Sequence, residues 1–142
     1  MLLGMGADEQ LGGYGRHRKA FESDGWPGFV RELQLDQDRL WDRNLGRDDR
    51  VCSDHGKEAR FPFLDWHVVD LLRSLPPEDV CDFSLPPGQG DKRILRLVAH
   101  RLGLDHAGGL VKRAIQFGSR ISHVSDARRF GSRRKAKGQA GI

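Results

Sequence analysis

Three short stretches of this sequence combine residue types that handle phosphate and charge. The first is Gly4-Met5-Gly6-Ala7-Asp8-Glu9. A glycine-rich turn leaving a strand lets backbone N–H groups approach phosphate oxygens, and a helix after it adds a favourable dipole. Asp8 in such a turn suits a magnesium ion that bridges phosphates. The same residues also suit an ordinary strand-to-helix turn, with Asp8 and Glu9 favouring the helix N-terminus. The Gly-Lys-Ser/Thr ending of a Walker A loop is missing. The second stretch is Arg47-Asp48-Asp49-Arg50, followed by His55 to Asp65 with Glu58, Arg60 and Pro62. Charges of both signs beside apolar anchors predict a buried ion-pair network, which serves as scaffolding or as a substrate site. His55 and Cys52 are one histidine and one cysteine, too few for a zinc site. The third is Asp91-Lys92-Arg93-Ile94-Leu95-Arg96. Lys92 at a helix start reaches a polyphosphate as a point charge, or belongs to a solvated basic face.

Helices are the elements that must hold these residues. Leu2 and Leu3 read as the end of a strand whose partner strands lie outside this sequence. Ser23-Asp24-Gly25-Trp26-Pro27 is a helix-start signal, with proline near the first helical position. Phe29, Val30, Leu33, Leu40 and Trp41 then recur at helical spacing to about Asn44. The segment from Arg47 to Asp65 predicts a short helix and then an ordered loop. Asp65 is a suitable N-cap for a helix carrying Val68, Val69, Leu72 and Leu75, which Pro76-Pro77 stops. A second amphipathic helix is expected from about Asp91 to Arg101, with Gly103 at its C-terminal turn. Strand-like alternation is nearly absent, so a mainly α chain is expected.

Composition narrows the class. The chain has 142 residues, 37% hydrophobic and 31% charged, with mean hydropathy −0.60. That suits one polar globular domain and leaves no stretch of roughly 18 apolar residues to span a bilayer. The opening residues lack the basic region of a secretory leader. Cys52 and Cys81 read as two free thiols of a reducing compartment, and a cytosolic location is expected. The net charge of +4 belongs to the C-terminus. Residues 1–125 hold 18 basic and 19 acidic residues, whereas residues 126–142 hold six basic against one acidic. A domain over 1–125 and a basic, disordered tail over 126–142 are expected. Phe130 is the tail's one aromatic residue, so stacking on nucleic acid is not expected.

Taken in order, the three stretches resemble one family. Gly4-Met5-Gly6-Ala7-Asp8-Glu9-Gln10-Leu11-Gly12-Gly13-Tyr14 resembles the G-x-G-[SA]-D-E-x-x-G-G-Y stretch of the asparagine synthetases. Asp49-Arg50, His55-Gly56, Glu58, Arg60 and Pro62-Phe63-Leu64-Asp65 resemble their D-R-x4-H-G-x-E-x-R-x-P-F-L-D signature. Lys92 to Arg96 resembles their K-x-[IL]-L-R, and Lys112-Arg113-Ala114-Ile115-Gln116-Phe117-Gly118-Ser119 resembles the basic-then-aromatic element near their C-terminus. The resemblance runs over about residues 1–121.

It implies the C-terminal helical portion of an α/β adenine-nucleotide-α-hydrolase-like (ATP pyrophosphatase) domain, with the upstream parallel sheet lying outside this sequence. It also implies two-step amide synthesis. ATP adenylates the side-chain carboxylate of aspartate, pyrophosphate leaves on magnesium, and ammonia derived from glutamine attacks the aspartyl-adenylate. By position, Asp8 is implied to coordinate the magnesium through pyrophosphate and Lys92 to contact the leaving phosphates. Arg50 is implied to fix substrate or stabilise developing charge. Gly4 and Gly6 form the turn, and Glu58 and Arg60 brace the pocket by ion pairing. The partners implied are aspartate, ATP and ammonia, together with the upstream half of the same domain. Three differences from the family stand out. Met5 replaces a glutamate tied to ammonia capture, and the S-G-G-x-D-S pyrophosphate loop is not in these residues. Nor is a glutaminase domain, and the internal Cys52 and Cys81 cannot replace an N-terminal cysteine nucleophile. The leading expectation is therefore a synthetase-domain segment, active only as part of a longer protein. A scaffold that has lost catalysis is the alternative.

Overall fold

Short apolar runs cut by glycine and proline give short helices in this chain. A computed structural model describes residues 1–113, and the first unit of the chain is Met1–Lys112. The expected domain boundary at Ser125 and the basic tail lie outside the described residues. The helices are α1 (Ala7–Gln10), α2 (Gly15–Asp38), α3 (Gly46–Asp54), α4 (Trp66–Ser74), α5 (Pro77–Val80), α6 (Arg93–Arg101) and α7 (Asp105–Gly108). A π-helical turn at Trp41–Leu45 leads into α3, and a 3₁₀ turn at Pro62–Leu64 precedes α4. The described residues are mainly helical, without a strand.

The helix-start signal at Ser23–Pro27 falls inside α2. Asp24 (φ −145°, ψ 23°) and Gly25 (φ 60°, ψ −156°) break it into two helical segments. The second does start there, but a first segment from Gly15 precedes it. Of the residues expected on the apolar face, Phe29 and Leu40 are buried and Leu33 packs on the core. Val30 and Trp41 are exposed. Asp65 caps α4 as expected, accepting from the His67 N–H at 3.0 Å. Pro76-Pro77 ends α4, but Pro77 also opens the four-residue α5, since a first-turn position has no N–H bond to lose. α6 occupies the predicted place, and Gly103 adopts φ 75° beyond its end.

Leu2 and Leu3 depart from expectation by pairing within the chain. Leu3 N–H donates to the Arg60 carbonyl at 2.9 Å, and Arg60 N–H donates to the Met1 carbonyl at 2.8 Å. The result is one isolated parallel bridge, Leu2 to Arg60. Two unpaired extended segments satisfy each other's backbone groups where no longer strand competes.

The core is a small aromatic cluster. Leu11, Phe29, Val80, Cys81 and Phe83 are buried, with Phe21, Trp26 and Leu72 packed against them. The break in α2 lets Phe21 and Trp26 meet at 4.6 Å, and Phe21 and Phe29 each lie 5.3 Å from Phe83. Such ring pairs add about 0.5–1.5 kcal/mol each beyond the area they bury. Arg18 fastens α2 to the 83–85 segment, donating to the carbonyls of Phe83 and Leu85, each at 2.7 Å. By contrast α4 buries no residue and α6 buries only Arg96. Of the two expected apolar faces, Leu72, Leu75, Ile94 and Leu95 pack on the core, whereas Val98 and Leu102 stay exposed.

Candidate functional site

The turn before α1 folds on its own side chains. Gly6 has φ 90°, a conformation that costs a residue with a Cβ, and the Leu64 side chain occupies the space a Cβ would take. Glu9 is buried and closes the turn from within. Its Oε2 accepts from the Gly6 N–H at 3.2 Å, and its Oε1 accepts from the Tyr14 hydroxyl at 2.5 Å. Burial, and then the hydrogen bond to Glu9, push the Tyr14 phenol well above its ordinary range, so it stays a donor. Gln10 ties the turn to the signature segment by donating to the Gly6 carbonyl at 3.2 Å and the Phe63 carbonyl at 2.5 Å. The stretch Gly6 to Tyr14 is thus a self-supporting frame, and Asp8 is the member whose charge it leaves for other partners.

Two lysines supply those partners. Lys92 Nζ lies 3.0 Å from Asp8 Oδ1, and Lys112 Nζ lies 2.6 Å from Oδ2. All three side chains are between 18% and 29% exposed. Lys112 donates a hydrogen bond, whereas buried Oδ1 receives none among the described residues. At Oδ1 the Lys92 ammonium is the partner, as an ion pair. Burial pushes the Asp8 carboxyl up, and the pull of Lys112 and Lys92 outweighs it, holding the group below its ordinary value of 3.8. The Asp8 carboxylate fills the space a Cβ on Gly13 would need, so the second glycine of the pair is required.

The lysines are themselves positioned. Lys92 is the one non-glycine residue at positive φ among the described residues (φ 52°, ψ 35°). That strained backbone sits at the start of α6, where the Lys92 N–H donates to the Leu11 carbonyl at 3.0 Å. Arg96, one turn along α6, is buried and joins the two lysine-bearing segments. Its Nε donates to the Asp91 carbonyl and its Nη2 to Asp91 Oδ2, both at 2.7 Å. Its Nη1 donates to the carbonyls of Gly108 and Leu110, each at 2.8 Å. The guanidinium so fixes the start of α6 against the chain that leads to Lys112.

The remaining sequence-predicted residues lie elsewhere. Gly4 is exposed, with open space where a Cβ would point. Arg50 is exposed on α3 and makes no ion pair among the described residues. Glu58 and Arg60 do pair, at 3.0 Å, but with side chains 72% and 66% exposed. Arg47 pairs with its neighbour Asp48 at 2.6 Å. The buried ion-pair network expected over residues 47–65 is thus a set of surface pairs. Cys52 is the only buried residue of α3, so this helix has too little cover to bury charge. Arg60 instead lines a cleft of about 760 Å³, with Leu40, Trp41, Phe61, Leu64 and Arg73. Met5 faces the π-helical turn, its sulfur accepting from Asn44 Nδ2 at 3.9 Å. Cys52 and Cys81 are free thiols, as expected, and both are buried. Sequence reasoning gave no role to Lys112, Arg96 or the Glu9–Tyr14 pair.

Residues 21–107 match the asparagine synthase family model. The chain belongs to the asparagine synthase family. Its relatives include asparagine synthetase domain-containing protein 1 of Mus musculus, 57% identical over 87% of this chain and 20% of the relative. The Homo sapiens protein of the same name is 56% identical over 87% of the chain and 19% of the relative. The putative asparagine synthetase [glutamine-hydrolyzing] 1 of Methanocaldococcus jannaschii is 42% identical over 55% of the chain and 14% of the relative. The chain thus spans about one-fifth of the length of the first two. No solved structure matches it. No helix among the described residues is long and apolar enough to cross a membrane.

The family uses ATP, and the Asp8 group has the donor chemistry for a magnesium-bound phosphate. Among the described residues there is no cluster of three histidine, cysteine or acidic side chains to cage a metal. Magnesium keeps waters and is commonly held by one or two carboxylates plus substrate phosphates. One partly buried carboxylate, with two ammonium groups beside it for phosphate oxygens, fits that arrangement.

Proposed function

We propose that this chain is the C-terminal helical part of an asparagine-synthetase-type ATP pyrophosphatase domain. In the longer protein, its role is adenylation of an aspartate carboxylate. The observation that carries this reading is the convergence of Lys92 and Lys112 on Asp8 from segments 20 residues apart in sequence. In this reading Asp8 would hold a magnesium ion together with the pyrophosphate, and the ion would supply positive charge to the leaving group. Lys92 and Lys112 contact the leaving phosphate oxygens as fixed charges in a half-buried site, where preorganised charge counts for more than in water. Glu9, Tyr14 and Gly13 hold Asp8 in place, and Arg96 sets the spacing of the lysines. Arg60 and Glu58 shape the rim of the neighbouring cleft, while Arg50 approaches substrate only with the rest of the domain present. The other half of the site, including the pyrophosphate loop, belongs to the upstream part of the domain. The same reading places the protein in the cytosol, with ammonia from glutamine as the second substrate.

Met5 favours a second reading, a scaffold derived from the fold. A thioether cannot accept a proton or orient ammonia, and here it packs on Asn44. The two readings separate in the full-length protein, supplied with ATP, magnesium, aspartate and ammonia. The synthetase reading expects pyrophosphate release with little asparagine, because water hydrolyses the aspartyl-adenylate to aspartate and AMP where ammonia does not capture it. Met5→Glu raises asparagine at the expense of that hydrolysis while leaving pyrophosphate release similar. Absence of AMP release with every acceptor acid tried replaces the synthetase reading with the scaffold.

A further inference from the structure

We propose that the cleft between residues 41–49 and α4 binds a short free peptide of three or four residues with apolar side chains. This goes beyond the proposed function and does not depend on it. Gln10 lines the cleft and Asp8 meets the lysines, and residues two apart on one helix point about 200° apart. α1 therefore separates the cleft from the Asp8 group. Each wall of the cleft presents one helical stripe at four-residue intervals. Trp41, Leu45 and Asp49 form one, carried by the π-helical turn and α3. Asp65, Val69 and Arg73 form the other, along α4 from its N-cap to its last turn. The stripes run in opposite directions. Arg73 Nη2 donates at 3.3 Å to Oε1 of Gln37, which lies one turn before Trp41. At the other end, Asn44 donates to the Met5 sulfur, and neighbouring Gly6 lies against the Leu64 side chain.

The cleft is thus polarised. Arg73 and the Gln37 amide mark one end, and the carboxylates of Asp49 and Asp65 mark the other. Arg60 also lines it, but its guanidinium pairs with Glu58 at 3.0 Å. Midway along the stripes the walls are apolar, at Leu45 and Val69. Trp41 stays 76% exposed, an unusual position for so large an apolar ring. The π-helical turn that carries it is a rare conformation, found frequently at functional sites. Asp65 and Arg73 are eight residues apart, about 12 Å along α4. A free amino acid carries its ammonium and carboxylate on one carbon and cannot reach both ends. An extended peptide of three or four residues spans about 10–14 Å and does. Its carboxylate meets Arg73, its ammonium meets Asp49 and Asp65, and its apolar side chains cover Trp41. A cleft of about 760 Å³ suits a ligand of that size.

The test titrates the full-length protein by calorimetry with free tripeptides built from leucine, valine and phenylalanine. At least one should bind, and free leucine should not. Acetylating the amine of that tripeptide, or amidating its carboxylate, should each weaken binding at least fivefold, because each removes one charged end. This comparison needs no variant. Trp41→Ala and Arg73→Gln, in protein with unchanged circular dichroism, should each weaken binding at least tenfold. Trp41→Ala should leave aspartate-dependent pyrophosphate exchange into ATP as it is in the wild type. Tripeptide binding in a wild type that shows no exchange would therefore remove the proposed function and leave this inference standing. If another part of the longer protein fills the cleft, no tripeptide binds and the inference falls. It falls equally if doubly blocked tripeptides bind as well as free ones, or if Trp41→Ala leaves the affinity unchanged.

Discussion

Replacing Arg96 by methionine should remove the member that spaces the two lysines. Methionine keeps much of the aliphatic stem but none of the donors. Four hydrogen bonds of 2.7–2.8 Å disappear, two to Asp91 and two to the carbonyls of Gly108 and Leu110. Counted singly at about 1.5–3 kcal/mol for a charged donor, they would sum to about 6–12 kcal/mol, comparable to the whole stability of a domain, which overcounts bonds that share one guanidinium. The better estimate treats the change as breaking one buried pair, with side chains 9% and 11% exposed, at a cost of about 3–5 kcal/mol. Asp91 then loses its cationic partner and is left with backbone N–H groups, chiefly that of Gly88. Arg96→Lys retains the charge and one or two of the four donors, and should lose about half as much. Urea titration followed by helical circular dichroism reads the cost. Pyrophosphate binding in urea-free buffer reads the spacing of the lysines. A loss below about 1 kcal/mol for Arg96→Met, or unaltered magnesium-pyrophosphate affinity in a folded variant, would refute this role.

Three further outcomes are expected. His17 is fully buried, with Nδ1 accepting from the Tyr14 N–H and Nε2 donating to Asp36 Oδ2 at 2.8 Å. Burial lowers its pKa from 6.5 despite Asp36. The folded state therefore favours the neutral ring, and stability should decline as pH falls below about 6.5. His17→Phe should flatten that part of a pH–stability profile, and an unchanged slope would contradict it. Phe29→Ala should cost about 3–5 kcal/mol in denaturant titration, because Phe29 is 1% exposed at the centre of the aromatic cluster. Cys81, pushed up to about 12 chiefly by burial, should react with a thiol reagent only after unfolding, and rapid labelling of the native chain at Cys81 would count against its placement.

The sequence made some of this site legible and hid the rest for physical reasons. Asp8 and Lys92 stand in motifs whose residue types announce phosphate chemistry. The Asp65 cap and the stop at Pro76 are likewise local signals. Lys112 lies in a recognisable basic element, but its contact with Asp8 spans 104 positions, and nothing local reveals it. Arg96 sits on an amphipathic helix, where an arginine reads as a solvated face. Its burial depends on α7 folding back over it. The His17–Asp36 pair is joined across the break in α2, which interrupts the helical spacing that would relate them. The opposite error occurred over residues 47–65. Charges of both signs beside apolar anchors such as Phe61 and Leu64 read as a buried network, yet α3 buries only Cys52, and Arg47, Glu58 and Arg60 stay exposed. Charge pattern alone does not distinguish a solvated pair from a buried one.

The most direct test of the central claim is aspartate-dependent exchange of labelled pyrophosphate into ATP by the full-length protein. This reaction reports the adenylation half alone and makes no demand on position 5. Exchange should be present in the wild type. In Asp8→Asn it should fall by about 10²–10³, the usual loss for one electrostatic element of a preorganised site. Exchange that is absent with every acceptor acid, or unaffected by Asp8→Asn in a folded protein, would contradict the assignment of Asp8, Lys92 and Lys112 to the pyrophosphate.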